Sequence, residues 1–150
     1  MAALKYERYV KPAPIVPNVF KEMPHPMLLQ ISEEIYPKEV LGGGGQFSMA
    51  WYYVTQPLLM VPDTEVHDFD SYFCVTGGDP SDINEFDAEI EMHLGEEREE
   101  YIITSPTCIY IPAGLVHCPL NFKRISKPII SMEFVLTQNP GWRPTPTELR

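Results

Sequence analysis

The sequence predicts an all-β fold in which two sheets, or one closed sheet, enclose a single core. Three observations carry that prediction. Short β-branched and aromatic runs recur about eight times at fairly even spacing, with almost no helical periodicity. Residues 85–94, Glu-Phe-Asp-Ala-Glu-Ile-Glu-Met-His-Leu, alternate polar and apolar without a fault, the period of a half-buried strand. The 16 prolines and 9 glycines are spread along the chain, as tight turns between many strands require.

A chain of 150 residues suits one domain with a real core, and 44% hydrophobic against 21% charged residues describes a globular protein. The formal net charge of −10 argues against nucleic acid or an anionic membrane as partner, since nothing basic is concentrated enough to offset phosphate repulsion. No apolar run approaches the ~20 residues of a membrane helix. The first residues lack the apolar stretch of a signal peptide. Cys74, Cys108 and Cys118 lie in apolar strand-like runs. An odd number without Cys-x-x-Cys spacing reads as reduced, buried thiols in a cytoplasmic protein.

In chain order, residues 1–45 form an N-terminal arm and lead-in. Pro12, Pro14, Pro17, Pro24 and Pro26 block any long helix or central strand, so an extended arm is expected, one that could be exchanged between subunits. His25, between two of these prolines, reads as incidental. Residues 31–36 suit either one helical turn or a short strand. The run Gly42 to Gly45 is followed by strand residues, not by the helix N-terminus that a phosphate cradle needs.

Strands are then expected over 46–54, 58–61 and 72–76, and a turn loop over 77–82. The alternating run at 85–94 puts Glu85, Asp87, Glu89, Glu91 and His93 on a solvated outer face, because the wholly apolar opposite face must pack inward. Residues 98–104 return as its hairpin partner, with Glu96, Glu97, Glu99 and Glu100 as solvated charges near the tip. A last strand is expected over 128–136, and residues 137–150 read as an extended tail.

The chain is organised around 109–122, Ile-Tyr-Ile-Pro-Ala-Gly-Leu-Val-His-Cys-Pro-Leu-Asn-Phe, which reads as strand, tight turn, strand. The spacing Pro112-x-Gly114-x2-His117-x3-Asn121 resembles the second signature motif of the cupins, with Pro106 where that pattern opens on Gly. The resemblance covers roughly residues 46–136. It implies a cupin-type double-stranded β-helix, or jelly-roll barrel, with a metal in its mouth, and pairing of two copies as a homodimer. It also implies an earlier motif, His-x-His-x3,4-Glu. The best local match places His67 at the second His, with Glu65 for the first His and Ser71 for the Glu.

Parity decides what such a segment could gather. In an unbroken strand, positions 65, 67, 69 and 71 share one face and Asp70 points to the other. Glu65, His67 and His117 then resemble the two-imidazole, one-carboxylate sets of non-haem iron and zinc sites. Asp70 joins them only if a bulge re-aims it. Cys118, next to His117, is expected on the opposite face. Phe69, Ser71, Tyr110 and Asn121 are the candidate pocket residues.

The implied function is a divalent-metal site (Fe, Mn, Ni or Zn) acting on a small organic molecule, such as a cyclic, hydroxylated or keto acid compound. Oxygenase, isomerase, decarboxylase, lyase and hydrolase chemistry all remain open, because function belongs to the site and not the fold. The alternative is a non-catalytic cupin that binds or senses a small molecule, or an accessory subunit with a degenerate metal site.

Overall fold

The computed structural model describes residues 5–10, 12, 29–31 and 48–136. The expected tail at 137–150, most of the arm and residues 32–36 lie outside them. The described part of the arm holds a 3-10 turn at Glu7–Tyr9 and the short strand β1 (Leu29–Ile31). Eight strands follow: β2 (Ser48–Val54), β3 (Leu58–Val61), β4 (Asp70–Gly77), β5 (Ala88–Leu94), β6 (Glu99–Ile103), β7 (Thr107–Ile111), β8 (His117–Ile125) and β9 (Ile129–Leu136).

These strands form two wholly antiparallel sheets, one in the order β1-β2-β9-β4-β7 and the other β3-β8-β5-β6. From β2 onward the chain crosses from one sheet to the other at every connection except the β5–β6 hairpin. That winding is a double-stranded β-helix, and it is why segments far apart in sequence meet inside. No helix among the described residues is long and apolar enough to cross a membrane.

The alternating strand behaves as its pattern dictates. Ala88, Ile90 and Met92 are buried, while Asp87, Glu89, Glu91 and His93 lie on the outer face among the basic side chains of β8 and the turn after it. Lys123 pairs with Glu89 and Glu91, Arg124 with Asp87, and Lys127 with Glu85. The extended stretch starts as strand only at Ala88, because the backbone of Asp87 is taken by the 126–127 turn: its carbonyl accepts from the amides of Ser126 and Lys127. The hydrophobic core between the sheets includes Val54, Phe73, Ile90, Met92, Phe122 and Ile129.

The turn at 112–115 closes through the Leu115 amide donating to the Pro112 carbonyl, 3.1 Å, with Gly114 at φ +82° in the third position. That is the glycine-requiring place of a type II turn. The Gly114 amide then donates to the His67 carbonyl, 2.8 Å, which ties the turn to the segment carrying the first motif.

Phe122 has no exposed surface and Ile83 is 83% exposed. Phe122→Ala should therefore cost about 3–5 kcal/mol in denaturant unfolding, and Ile83→Ala within about 0.5 kcal/mol.

Candidate metal centre

Glu65 and His67 sit in the 62–69 connection that carries the chain from β3 in one sheet to β4 in the other. The expected unbroken strand is absent: only Glu65 is bridged, and β4 begins at Asp70. The bridge is to His117 at the start of β8. The Glu65 amide donates to the His117 carbonyl at 2.8 Å, and the His117 amide donates back at 2.9 Å. Two backbone hydrogen bonds thus place the two motifs side by side.

The side chains converge as parity foretells, although through loop backbone. Glu65 Oε2 lies 3.5 Å from His67 Nε2 and 3.9 Å from His117 Nε2. The two imidazole centroids are 5.0 Å apart. His67 stacks on buried Phe69, with centroids 4.7 Å apart and planes 7° from parallel, which fixes the ring's plane. His117 is fixed differently: its Nδ1 donates to the Leu115 carbonyl at 2.9 Å, leaving Nε2 without a proton and turned to Glu65. Burial lowers the His117 pKa below the ordinary imidazole value. The Leu115 carbonyl opposes that shift, His67 adds to it, and Glu65 opposes it; the net lowering holds the ring neutral with Nε2 unprotonated.

Sequence reasoning placed Cys118 away from His117, and the structure brings it in. Both residues are buried. Strand β8 carries one extra residue here, since Met92 and Leu94 of β5 face Leu120 and His117 across it, and Cys118 takes φ +70°. A bulge with a left-handed residue breaks the alternation and turns neighbours to one side. The ligand atoms of Glu65, His117 and Cys118 all lie within 4.8 Å of one another. Burial, then the charges of Glu65 and Glu133, push the Cys118 thiol far above its ordinary value, so it stays protonated at neutral pH.

Glu133, on β9, was not singled out by sequence. It belongs to the inward row of that strand, with Ile129, Ser131 and Val135. Burial and the negative charge of Glu65 raise its carboxyl to about 7, against a smaller opposing pull from His67. The available signal was a lone carboxylate in a strand whose other residues, Ser131 apart, are apolar.

Three other candidates fall elsewhere. Asp70 does not turn inward, because β4 pairs with β9 in unbroken register from Asp70 onward and no bulge re-aims it. Its carboxylate accepts instead from the Ala113 amide, 2.9 Å, and from the Tyr110 hydroxyl. Tyr110 is half exposed on the outer face of its sheet, packed against Tyr72. Asn121 alternates with buried Leu120 and Phe122 and stands opposite Leu59 and Glu91, on the outer face of the other sheet. Ser71 is buried and lies opposite Ile111 and Val135. A second group of donor atoms, from Glu91, His93 and Glu100, lies on the outer face, where Glu91 already pairs with His93 and Lys123.

A raised carboxyl pKa favours the fold below its unfolded value, near 4.5, and loses that advantage as pH rises through about 7. Glu133→Gln should therefore stabilise the metal-free protein at pH 8 by on the order of 2–3 kcal/mol, and by much less at pH 5. Denaturant unfolding of both proteins at both pH values measures this.

No family model matches the sequence, and no curated protein does. Solved structures do. Peruvianin-I, a cysteine peptidase from Thevetia peruviana latex, has a TM-score of 0.52 at 15% identity, over 93% of this chain and 77% of that one. An uncharacterized conserved protein with a double-stranded β-helix domain from Klebsiella pneumoniae has 0.49 at 15%, over 93% and 87%. The Schizosaccharomyces pombe Cnp3 cupin domain has 0.46 at 10%, over 75% and 60%. The chain spans only 56–64% of the length of several structures it matches. Its two-sheet winding and its motif turn make it, by fold, a double-stranded β-helix of the cupin type.

Proposed function

We propose that the barrel binds one divalent transition metal (Fe, Mn, Ni or Zn) and acts on a small organic molecule presenting carbonyl, hydroxyl or carboxylate oxygens. A cyclic, hydroxylated or keto acid compound has that chemistry. One observation carries the reading: Glu65 Oε2 stands 3.5 Å and 3.9 Å from the two imidazole Nε2 atoms, with His117 buried and the other two partly so. Two imidazoles and a carboxylate are a donor set that first-row divalent ions accept.

The residues fit such an ion. His117 presents an unprotonated Nε2, its other nitrogen being spent on Leu115. Glu65 and Glu133 bring neighbouring carboxyl groups whose mutual repulsion a cation would relieve. Glu65, His67 and His117 would hold the ion, and it would supply Lewis acidity toward a substrate oxygen. The chain's own residues do the rest. Phe69 provides an apolar wall, and Ser71 a small inward hydroxyl. Glu133, near its midpoint at neutral pH, can hold or release a proton at its carboxyl oxygen.

A non-catalytic binder or sensor is the second reading. Ser71 favours it, because this buried hydroxyl stands where the first cupin motif has its Glu ligand. The homodimer expected from sequence remains part of the proposal, and its test is the mass in solution.

Elemental analysis of tag-free protein should find near-stoichiometric transition metal. His67→Ala and His117→Ala should each lose it, with affinity falling by more than the roughly 10–100-fold that loss of a supporting residue costs. A wild type that stays metal-free after incubation with Fe(II), Mn(II), Ni(II) and Zn(II) would sink the metal site and leave the binder.

A further inference from the structure

Far from the barrel interior, the outer face of the first sheet carries a second arrangement with chemistry of its own. Cys74 on β4 and Cys108 on β7 stand directly opposite each other in the antiparallel ladder. Both are on the outward parity of their strands, beside the Tyr72–Tyr110 pair. Cys74 is half-buried and Cys108 exposed, so they are not the buried thiols expected from sequence. Their sulfurs are 2.8 Å apart, closer than two unbonded sulfurs rest comfortably and near the ~2.05 Å of a bond. Directly opposed residues in such a ladder have Cβ atoms about 4.5–5.5 Å apart, so closing the bond asks for only a small approach toward the ~3.5–4.5 Å of a disulfide.

We propose that Cys74 and Cys108 are a reversible redox pair that closes as a cross-strand disulfide and staples the edge strand β7 to β4. The oxidant is a small disulfide of the glutathione class. The exposed Cys108, as thiolate, attacks one sulfur of that molecule. A mixed disulfide forms and one small thiolate leaves. Cys74 then gives its proton to solvent and its sulfur attacks Cys108 Sγ, releasing the second small thiol. Two protein thiols are oxidised by two electrons and one small disulfide is reduced to two thiols. Burial, followed by the contact with Cys108, pushes the Cys74 thiol up to about 12. It is therefore the poorer first nucleophile and suits the resolving role. Strand β7 is an edge of its sheet and leads into the turn before His117, so the bond fastens a strand that is otherwise held on one side only.

The test is intact mass and peptide mapping of the full chain, equilibrated with oxidised glutathione and then with dithiothreitol. The expected result is loss of two hydrogens' mass, a Cys74–Cys108 linked peptide, recovery on reduction, and a thermal midpoint several degrees higher when oxidised. Cys118→Ser should keep the bridge, and Cys74→Ser should trap glutathione on Cys108. An unchanged mass, a bridge to Cys118, a bond between two copies, or glutathione persisting on Cys108 of the wild type would each overturn the proposal.

Discussion

The two backbone hydrogen bonds between Glu65 and His117 are the constraint on which the candidate centre depends. Strand β8 belongs to one sheet, and the 62–69 connection leads into the other, so this bridge fastens the seam where the sheets meet. It aligns the two motifs and brings both imidazoles to one carboxylate. The Gly114 amide on the His67 carbonyl is its second point of attachment. With both in place, the ring planes are set by Phe69 and by Leu115 rather than by the site itself. A centre built this way is held in shape by the fold before anything binds.

That shape has an electrostatic cost. Glu65, Glu133, His67, His117 and Cys118 are ionisable groups drawn into one interior. The structure meets the cost by keeping charges off: Cys118 protonated, His117 neutral, Glu133 protonated for much of its time near pH 7. The outer face of the other sheet takes the opposite course. There the carboxylates of Asp87 and Glu91 stay charged beside Arg124 and Lys123. A cation inside would let Glu133 ionise beside the charge of Glu65, so metal binding and proton release should be linked.

Local pattern made much of this legible. The run at 85–94 declared its inward and outward faces, and the 112–117 turn announced both its glycine and its histidine. Parity also brought Glu65 and His67 together, although they reach the site from a connection and not a strand. What stayed hidden depended on tertiary context. Cys118 turns inward because β8 bulges beside Pro119, which strict strand alternation does not anticipate. Glu133 was hidden because the polar pattern of β9 points the wrong way. Its Ser131 and Glu133 would suggest an outward row, yet that row is the buried one, and Ile130, Met132 and Phe134 face out with partial exposure. Asp70, Tyr110 and Asn121 were drawn into the candidate list by proximity to the motifs. Strand alternation put Asp70 outside, and an unbroken register kept it there.

The most direct test of the account is an anomalous-difference map from crystals grown with Mn(II) or Zn(II). The account predicts one strong peak within bonding reach of Glu65 Oε2 and the Nε2 atoms of His67 and His117. An empty interior, or a peak only at Glu91, His93 and Glu100 on the outer face, would contradict it.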